Sequence, residues 1–299
     1  MRDMVGAMTK PVFIHAGAHR TGSSSFQMCL ARNRAGLEAN GYDLAYPGRD
    51  GVPGGALRLK LPGPRHGARR VPDFAASLRA HLAELSPDPD RALILSEENI
   101  PGRMIHFYDG QFFPASARRL ESLAAALEAP PAHLLYVLRP YDQLFVSAYR
   151  KRAEDNPVTP FAQLVPHFLA MDRGWPELVA EFRDILKPRR LTVLDYAARG
   201  DSRSLLARLV PDLSEAALDE PLEAVNVSAT DAALIELQSR YGAGESLSRE
   251  DWKAVLARHA GDRTARGVAA FSETEQQALR TRYTHDLERV AALDGVVFG

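Results

Sequence analysis

Short apolar runs alternate with longer segments of helical periodicity through the first two-thirds of the chain. The run 12–16 is apolar and β-branched and stops at Gly17, which predicts a buried strand. From Ser23 the apolar positions follow a helical spacing until Asn40-Gly41, a pair typical of a helix C-terminus. By the same criteria, strands are predicted at 12–16, 92–95, 134–138 and 191–194, and further helices over 115–128, over 141–154 and after Asp73.

This alternation predicts an α/β fold, in which a parallel sheet has helices on both faces and binds ligands at the carboxyl ends of its strands. The last third of the chain has only helical patterns, and a Ser272-x-x-Glu275 capping box opens the final helix. We expect a flexible N-terminus over 1–10 and a single domain over 11–299, with the α/β core at about 11–200 and a helical part at about 201–299. The C-terminal helices are predicted at 202–210, 230–241, 249–259 and 273–292.

The composition is that of an ordinary globular protein, with 45% hydrophobic and 25% charged residues. No run approaches the ~20 apolar residues that a membrane-spanning helix requires, and residues 1–11 lack the apolar centre of a signal peptide. A cytoplasmic protein is therefore predicted.

Thirty-seven basic and 38 acidic side chains leave a net charge of −1. This balance excludes a positive electrostatic field over the whole molecule that would attract nucleic acid. Any anionic ligand is expected in a local site.

The chain has a single cysteine, Cys29, which excludes an internal disulfide and a cysteine-based metal cluster. We expect it to pack within the first helix. No His-x-x-x-His or Cys-x-x-Cys spacing and no carboxylate cluster stands out, so the sequence implies no bound metal.

Residues 47–72 are crowded with glycine and proline and carry six basic side chains against one acid, Asp50. This composition predicts a mobile basic loop. Such a loop would suit an anionic glycan or would act as a lid over a cofactor. Its basic residues are Arg49, Arg58, Lys60, Arg65, Arg69 and Arg70.

A glycine- and serine-rich loop, GAHRTGSSS over 17–25, joins the first predicted strand to the first predicted helix. Backbone N–H groups at such a junction can hold a phosphate. The spacing nearly matches the Walker A pattern G-x-x-x-x-G-K-[ST], but Ser23 stands where that pattern has lysine, and the cation, Arg20, lies inside the loop. This difference argues against an ordinary ATPase or GTPase. A plain strand-to-helix turn would explain the glycines but not a cation beside a run of serines.

The run FIHAGAHRTGSSSFQ over 13–27 resembles the 5′-phosphosulfate loop of the sulfotransferases that use 3′-phosphoadenosine 5′-phosphosulfate (PAPS). His19 stands where proline is usual, and Arg20 stands where lysine is common. The arginine keeps the positive charge but does not readily donate a proton, so its expected role is electrostatic. The resemblance implies a three-layer, P-loop-like α/β fold. It also implies that PAPS is bound by Gly17, His19, Arg20, Thr21, Gly22, Ser23 and Ser24.

A second segment, 136–149, is similar to the family's R-x-P-x-x-R-x-x-S-x-Y motif, which grips the 3′-phosphate of the cofactor. Arg139 and Ser147 stand eight residues apart, as that motif requires. Pro140 follows the arginine directly, and Gln143 replaces the second arginine of the motif. A strand-end arginine beside a helical hydroxyl suits a phosphate monoester. The resemblance therefore implies that Arg139 and Ser147 bind the 3′-phosphate.

A third segment, 93–99, ends a buried strand with two carboxylates, Glu97 and Glu98. In the family, a glutamate near the end of this strand is a frequent general base toward an acceptor hydroxyl. Because adjacent residues on an extended chain point to opposite sides, we expect one glutamate in the crevice and the other facing out. The family pattern favours Glu98 as the general base, and Glu97 is kept as the alternative. Some soluble members use a histidine base, and the alternatives here are His15, His19 and His106.

Two weaker matches lie late in the chain. Asn226-Val227-Ser228 resembles an N-x-S element of the bacterial members. The basic stretch 258–267 falls roughly where the family closes a loop over the nucleotide.

These features together predict a sulfotransferase that moves a sulfuryl group from PAPS to a hydroxyl or amine of an unidentified acceptor, which is a glycan, a lipid or a small molecule. In-line transfer leaves negative charge on the departing 5′-phosphate oxygen, so Arg20 and the amides of 21–24 are expected to stabilise it. The alternatives are a nucleotide-dependent kinase of P-loop fold and a non-catalytic nucleotide-binding protein. The oligomeric state is left open.

Overall fold

The computed structural model describes residues 10–49, 51–127, 129–222 and 228–299. Within these residues, six parallel strands form one sheet in the order β2-β3-β1-β4-β5-β6. The first strand of the chain therefore lies inside the sheet. The strands are β1 (Val12–His15), β2 (Tyr42–Ala45), β3 (Ala92–Ser96), β4 (His133–Leu138), β5 (Leu191–Asp195) and β6 (Val296–Phe298).

Helices cover both faces of the sheet. They are α1 (Ser23–Arg32), α2 (Arg34–Ala39), α3 (Val71–Leu85), α4 (Ser116–Leu127), α5 (Tyr141–Ala153), α6 (Phe161–Leu169), α7 (Trp175–Glu181), α8 (Ser202–Leu209), α9 (Asp231–Gly242), α10 (Arg249–Arg258) and α11 (Glu273–Ala291). Among the described residues, no helix combines the length and the apolarity needed to cross a membrane.

The central strand β4 is buried on both sides, because its side chains alternate between two hydrophobic clusters. Tyr136 and Leu138 pack into the cluster beneath α3 to α7 and α11, whereas Leu135 and Val137 pack into the cluster beneath α1, α2 and α8. Continuous apolar strands of this kind are typical of parallel sheets covered on both faces. The prediction of an α/β fold with a parallel sheet between helices is confirmed.

Two strands of the sheet, β2 and β6, were not predicted from the sequence. β2 and β6 lie at the two edges, where β2 pairs with β3 and β6 pairs with β5. Each is at most four residues long, and β2 contains the polar Asp43. Such short runs carry little periodicity, so their strand character comes from pairing with a neighbour. The sequence predicted an entirely helical C-terminal part, and β6 shows that this prediction was wrong at its end.

The helix predicted from Ser23 to Asn40 is two helices, α1 and α2, separated by Asn33. The Asn33 side chain bonds the carbonyl oxygens of Cys29 and Asp219, at 2.8 and 2.9 Å, and its Oδ1 accepts from the Asp219 amide. A partner far along the chain thus interrupts the helix. Cys29 is buried within α1, as predicted.

The basic segment 47–72 is attached to the core, where the sequence predicted a mobile loop. Val52, Leu57 and Leu61 are buried. Arg119 of α4 donates hydrogen bonds to the carbonyl oxygens of Leu61 and Pro62, at 3.2 and 3.0 Å. The helix α3 begins at Val71, slightly earlier than predicted.

The carboxyl ends of β1, β3, β4 and β5 lie at one edge of the sheet because these strands are parallel neighbours. The register pairs His15 with Ser96 and Leu135, and Leu138 with Asp195, so β4 and β5 extend three residues beyond β1 and β3, alongside the start of the loop that follows β1. The segments that follow these strands therefore meet there, at the edge where open α/β sheets bind ligands.

Candidate functional site

The glycine-rich loop folds tightly between β1 and α1. Thr21 Oγ1 and Ser23 Oγ both donate to the Ala18 carbonyl oxygen, at 2.6 and 3.1 Å. Gly17 has φ +97°, and a Cβ atom there would lie 2.8 Å from Cβ of Glu98. Only glycine fits this position, since both the left-handed backbone and the approach of Glu98 exclude a side chain.

The Arg20 side chain leaves this loop and joins two distant segments. Its Nε donates to Ser147 Oγ of α5 at 2.8 Å, and its Nη2 donates to Ser228 Oγ at 3.1 Å. The sequence had predicted Arg20 and Ser147 at opposite ends of the cofactor. In this structure the two side chains are in direct contact.

Arg139 follows the last residue of β4 and reaches the same loop. Its Nη1 donates to the backbone carbonyl oxygen of Arg20, and its guanidinium lies 5.1 Å from the centre of the Tyr196 ring. Its Nε is buried and has no hydrogen-bond partner among the described residues. The two motif segments recognised in the sequence are thus brought together by Arg20, Arg139 and Ser147.

Arg199 is a third arginine at the loop, and sequence reasoning missed it. It follows the short turn Tyr196–Ala198 at the end of β5. Its Nη1 donates to the Gly200 carbonyl oxygen at 2.8 Å, and its guanidinium lies against Gly22, where a Cβ atom would be 2.7 Å from Nη2. Its Nε is also buried without a partner among the described residues. The available signal was its position shortly after a predicted strand, near the carboxyl edge of the sheet.

Arg20, Arg139 and Arg199 all contact the glycine-rich loop, and carboxylates act on them from beyond ion-pair distance: Glu154 and Glu98 on Arg20, Asp142 on Arg139, and Glu220 and Asp201 on Arg199. Within the described residues, none of them pairs with a carboxylate at ion-pair distance. Burial lowers the pKa of all three guanidinium groups, because it removes them from water. A buried charge costs free energy unless an opposite charge compensates it. The cluster can therefore hold an anion with more than one negative charge.

Glu97 and Glu98 are both buried, at 4% and 7% exposure, which corrects the prediction that one of them faces out. The strand β3 ends at Ser96, so the two glutamates lie in a turn and do not continue the extended alternation. Arg49 of the basic segment forms ion pairs with both, at 3.6 Å from Glu97 and at closer range to Glu98.

The two carboxylates have different surroundings. Glu97 Oε1 accepts from the backbone amide and from Nδ2 of Asn99, at 2.8 and 2.7 Å. Burial and the neighbouring Glu98 raise the pKa of Glu97. Glu98 instead packs its Cβ against Gly17, and Gln27 Nε2 lies 3.5 Å from its Oε2. Glu98 is therefore the carboxylate that adjoins the glycine-rich loop.

Two of the candidate histidines belong to the core. His15 Nδ1 is 2.9 Å from Ser96 Oγ, its ring stacks on Phe26, and burial lowers its pKa to about 3. The predicted phosphate ligand His19 is buried as well, and its Nε2 lies 2.8 Å from the Gly102 carbonyl oxygen. The third candidate, His106, lies on the turn Met104–Asp109 between β3 and α4.

Most predicted cofactor-binding residues thus gather at the carboxyl edge of the sheet. Those at or beside the glycine-rich loop are Gly17, Arg20, Thr21, Gly22, Ser23, Ser24, Arg139 and Ser147. Of the late motif, Asn226 and Val227 lie outside the described residues, whereas Ser228 contacts Arg20. In the part of the chain that the structure describes, no group of three or more His, Cys, Asp or Glu side chains could hold a metal ion.

The late basic stretch 258–267 is tied to the helices beside the site. The backbone amide of Arg266 donates to Asp231 Oδ2 at 2.6 Å, and Asp231 Oδ1 accepts from Arg150 of α5 at 2.5 Å. This carboxylate therefore links the stretch to the helix that carries Ser147.

No family model matches the chain, and comparisons with curated proteins and with solved structures find no match either.

Proposed function

We propose that the protein is a sulfotransferase that transfers a sulfuryl group from PAPS to a hydroxyl or amine acceptor. The observation that carries the proposal is the cluster of Arg20, Arg139 and Arg199, which has no carboxylate partner in the described residues. PAPS has anionic groups at two positions of one ribose. A cluster of several unpaired cations suits such a ligand better than it suits a single phosphate.

The residues present fit the cofactor. Arg139 retains a buried, unpartnered Nε. Arg20 links it to Ser147, because the Arg20 carbonyl oxygen accepts from Arg139 and the Arg20 Nε donates to the Ser147 hydroxyl. These groups bind the 3′-phosphate, while the amides that follow Gly22 bind the 5′ group. Gly17 and Gly22 let Glu98 and Arg199 pack directly against the loop, since an added Cβ atom would lie 2.8 Å from Glu98 Cβ or 2.7 Å from Arg199 Nη2. The proposal includes that the glycine-rich loop acts as a P-loop-like phosphate-binding loop.

Glu98 acts as the general base in this proposal because it is the carboxylate packed against the loop. It accepts the proton of the acceptor hydroxyl as the oxygen attacks sulfur. Arg49 orients the Glu98 carboxylate, and Asn99 holds Glu97 in its turn. These contacts support Glu98 over Glu97.

The proposal is tested by calorimetry with adenosine 3′,5′-bisphosphate, 5′-AMP and ATP with magnesium. We expect the bisphosphate to bind without added metal and ten- to a hundredfold more tightly than 5′-AMP, since a charge-assisted contact contributes about 1.5–3 kcal/mol. Equal affinities for the bisphosphate and 5′-AMP would contradict the assignment of Arg139 and Ser147. A preference for ATP with magnesium would favour a kinase. Bisphosphate binding without PAPS turnover would indicate a non-catalytic nucleotide-binding protein.

A further inference from the structure

Arg199 lies in neither of the two motifs that point to the cofactor, yet it occupies the loop that one of them defines. Its guanidinium packs on Gly22, which has φ +92° and no room for a Cβ atom. One nitrogen, Nη1, is bonded to Gly200, and Nη2 is 3.4 Å from Ser202 Oγ. The remaining nitrogen, Nε, is buried and unpartnered among the described residues. An arginine held in this way keeps one donor, Nε, that no described protein group satisfies.

The three arginines divide into two groups. Arg139 donates to the Arg20 carbonyl oxygen, and Arg20 donates to Ser147, so these cations belong to the α5 side of the loop. Arg199 belongs to the α8 side, because its contacts are Gly22, Gly200 and Ser202. In the described residues, no hydrogen bond joins Arg199 to Arg20 or to Arg139. Two positions for anions therefore follow from the arrangement of the charges.

We propose that Arg199 and Gly22 form a second anion subsite that takes a phosphate or sulfate ester. This inference rests on the proposed function and makes it more specific. Arg139, Ser147 and Arg20 bind the 3′-phosphate of PAPS, and Arg199 binds the 5′ group. Arg199, and not Arg20, then compensates the charge that develops on the departing 5′-phosphate oxygen. The loop arginine expected from sequence is thus replaced in that role by an arginine from the end of β5.

The subsite is tested by comparing three nucleotides on three proteins. Calorimetry measures adenosine 3′,5′-bisphosphate, 5′-AMP and 3′-AMP on the wild type, Arg199→Ala and Arg139→Ala. We expect Arg199→Ala to weaken the bisphosphate and 5′-AMP by ten- to a hundredfold and to leave 3′-AMP unchanged. Arg139→Ala should show the opposite selectivity. Equal loss of 5′-AMP and 3′-AMP in Arg199→Ala, or no loss of either, would overturn the proposal.

Two further measurements keep this test independent of the proposed function. Millimolar sulfate should raise the unfolding midpoint of the wild type and of Arg208→Ala, an exposed arginine on α8, but not that of Arg199→Gln. Equal shifts in all three proteins would overturn the subsite even if the bisphosphate binds. Conversely, a wild type that responds to sulfate through Arg199 but does not bind the bisphosphate would retain the subsite and reject the PAPS assignment. Arg199→Lys, which keeps the charge, should recover part of the 5′-AMP affinity and covers the case in which Arg199→Ala does not fold.

Discussion

The Arg20 guanidinium is bonded at the same time to Ser147 and Ser228, through Nε and Nη2. Arg20→Ala removes both bonds and one cation of the cluster, so we expect it to weaken bisphosphate binding and to lower turnover. Arg20→Lys should recover part of both, because an ammonium supplies charge but cannot make both directional contacts. Calorimetry and a PAPS turnover assay measure the two effects. Wild-type values for Arg20→Ala would mean that the loop is only structural.

Glu98 and Glu97 give a matched pair of variants. Glu98→Gln keeps the shape of the side chain but removes the basic oxygen, so turnover should fall by ~10²–10⁴ while affinity for the bisphosphate barely changes. Glu97→Gln should be nearly silent, since its Oε1 can still accept from Asn99.

The readout for this pair is turnover after an acceptor has been found in a panel of glycans, phenols and lipid-linked hydroxyls. The reverse pattern would transfer the role of base to Glu97. Full activity in both variants would leave His106 as the candidate base, because His15 and His19 are buried in the core.

The sequence identified the residues whose chemistry is local. Arg20, Arg139 and Ser147 stand out because charge, glycine and hydroxyl positions fall at fixed spacings within two short segments. Arg199 could not be identified in this way, because its position at the loop depends on β5 lying beside β4 and on a turn that brings its guanidinium to Gly22. His19 is the opposite case. Its place in the loop predicted a phosphate ligand, but its ring contacts the carbonyl oxygen of Gly102, which sequence spacing does not reveal.

At the scale of elements, the junction between β1 and the glycine-rich loop depends on Gly17. Gly17→Ala would impose a left-handed φ on a residue with a side chain and bring its Cβ within 2.8 Å of Glu98 Cβ. We expect a loss of about 1–3 kcal/mol in the free energy of unfolding, measured with urea. Gly36→Ala in α2 is the control, since no atom lies within 4 Å of its added Cβ. It should stabilise the protein by about 0.5–1 kcal/mol. A Gly17→Ala variant as stable as the wild type would contradict the requirement for glycine.

The strands β1, β3, β4 and β5 were predictable because each is an apolar run, buried or nearly so, beside a helical pattern. The edge strands β2 and β6 were not, because an edge strand of three or four residues needs its neighbour to define it. The division of the first helix at Asn33 likewise depends on Asp219, nearly two hundred residues away in sequence. Local periodicity contains no information about such distant partners.

At the scale of the whole molecule, buried neutral histidines make stability depend on pH. Burial lowers the pKa of His15 to about 3 and that of His133 to about 4. Between these values and the ordinary value near 6.5, the unfolded chain binds protons that the folded chain does not. The stabilisation is therefore complete above about pH 6.5 and is lost as the pH falls, by about 1.4 kcal/mol per pH unit for each imidazole.

Urea unfolding at pH 7, 6 and 5 measures this dependence. His133→Gln should reduce the slope by about one proton, because it removes one titrating group from β4. His285→Gln, at an exposed position on α11, is the matched control. An unchanged slope in His133→Gln would contradict the assignment of His133 as a neutral buried imidazole.

The contact between Arg20 and Ser228 also determines when the site can assemble. The bond joins residues 208 positions apart, and β1 itself lies between β3 and β4, which are synthesised later. During translation, the loop emerges long before the strands and the serine that hold it. Contacts this distant in sequence form late and slow folding, because a long chain segment must close first. The candidate site is therefore one of the last parts of the nascent protein to take shape, although its glycine-rich loop is one of the first to be made.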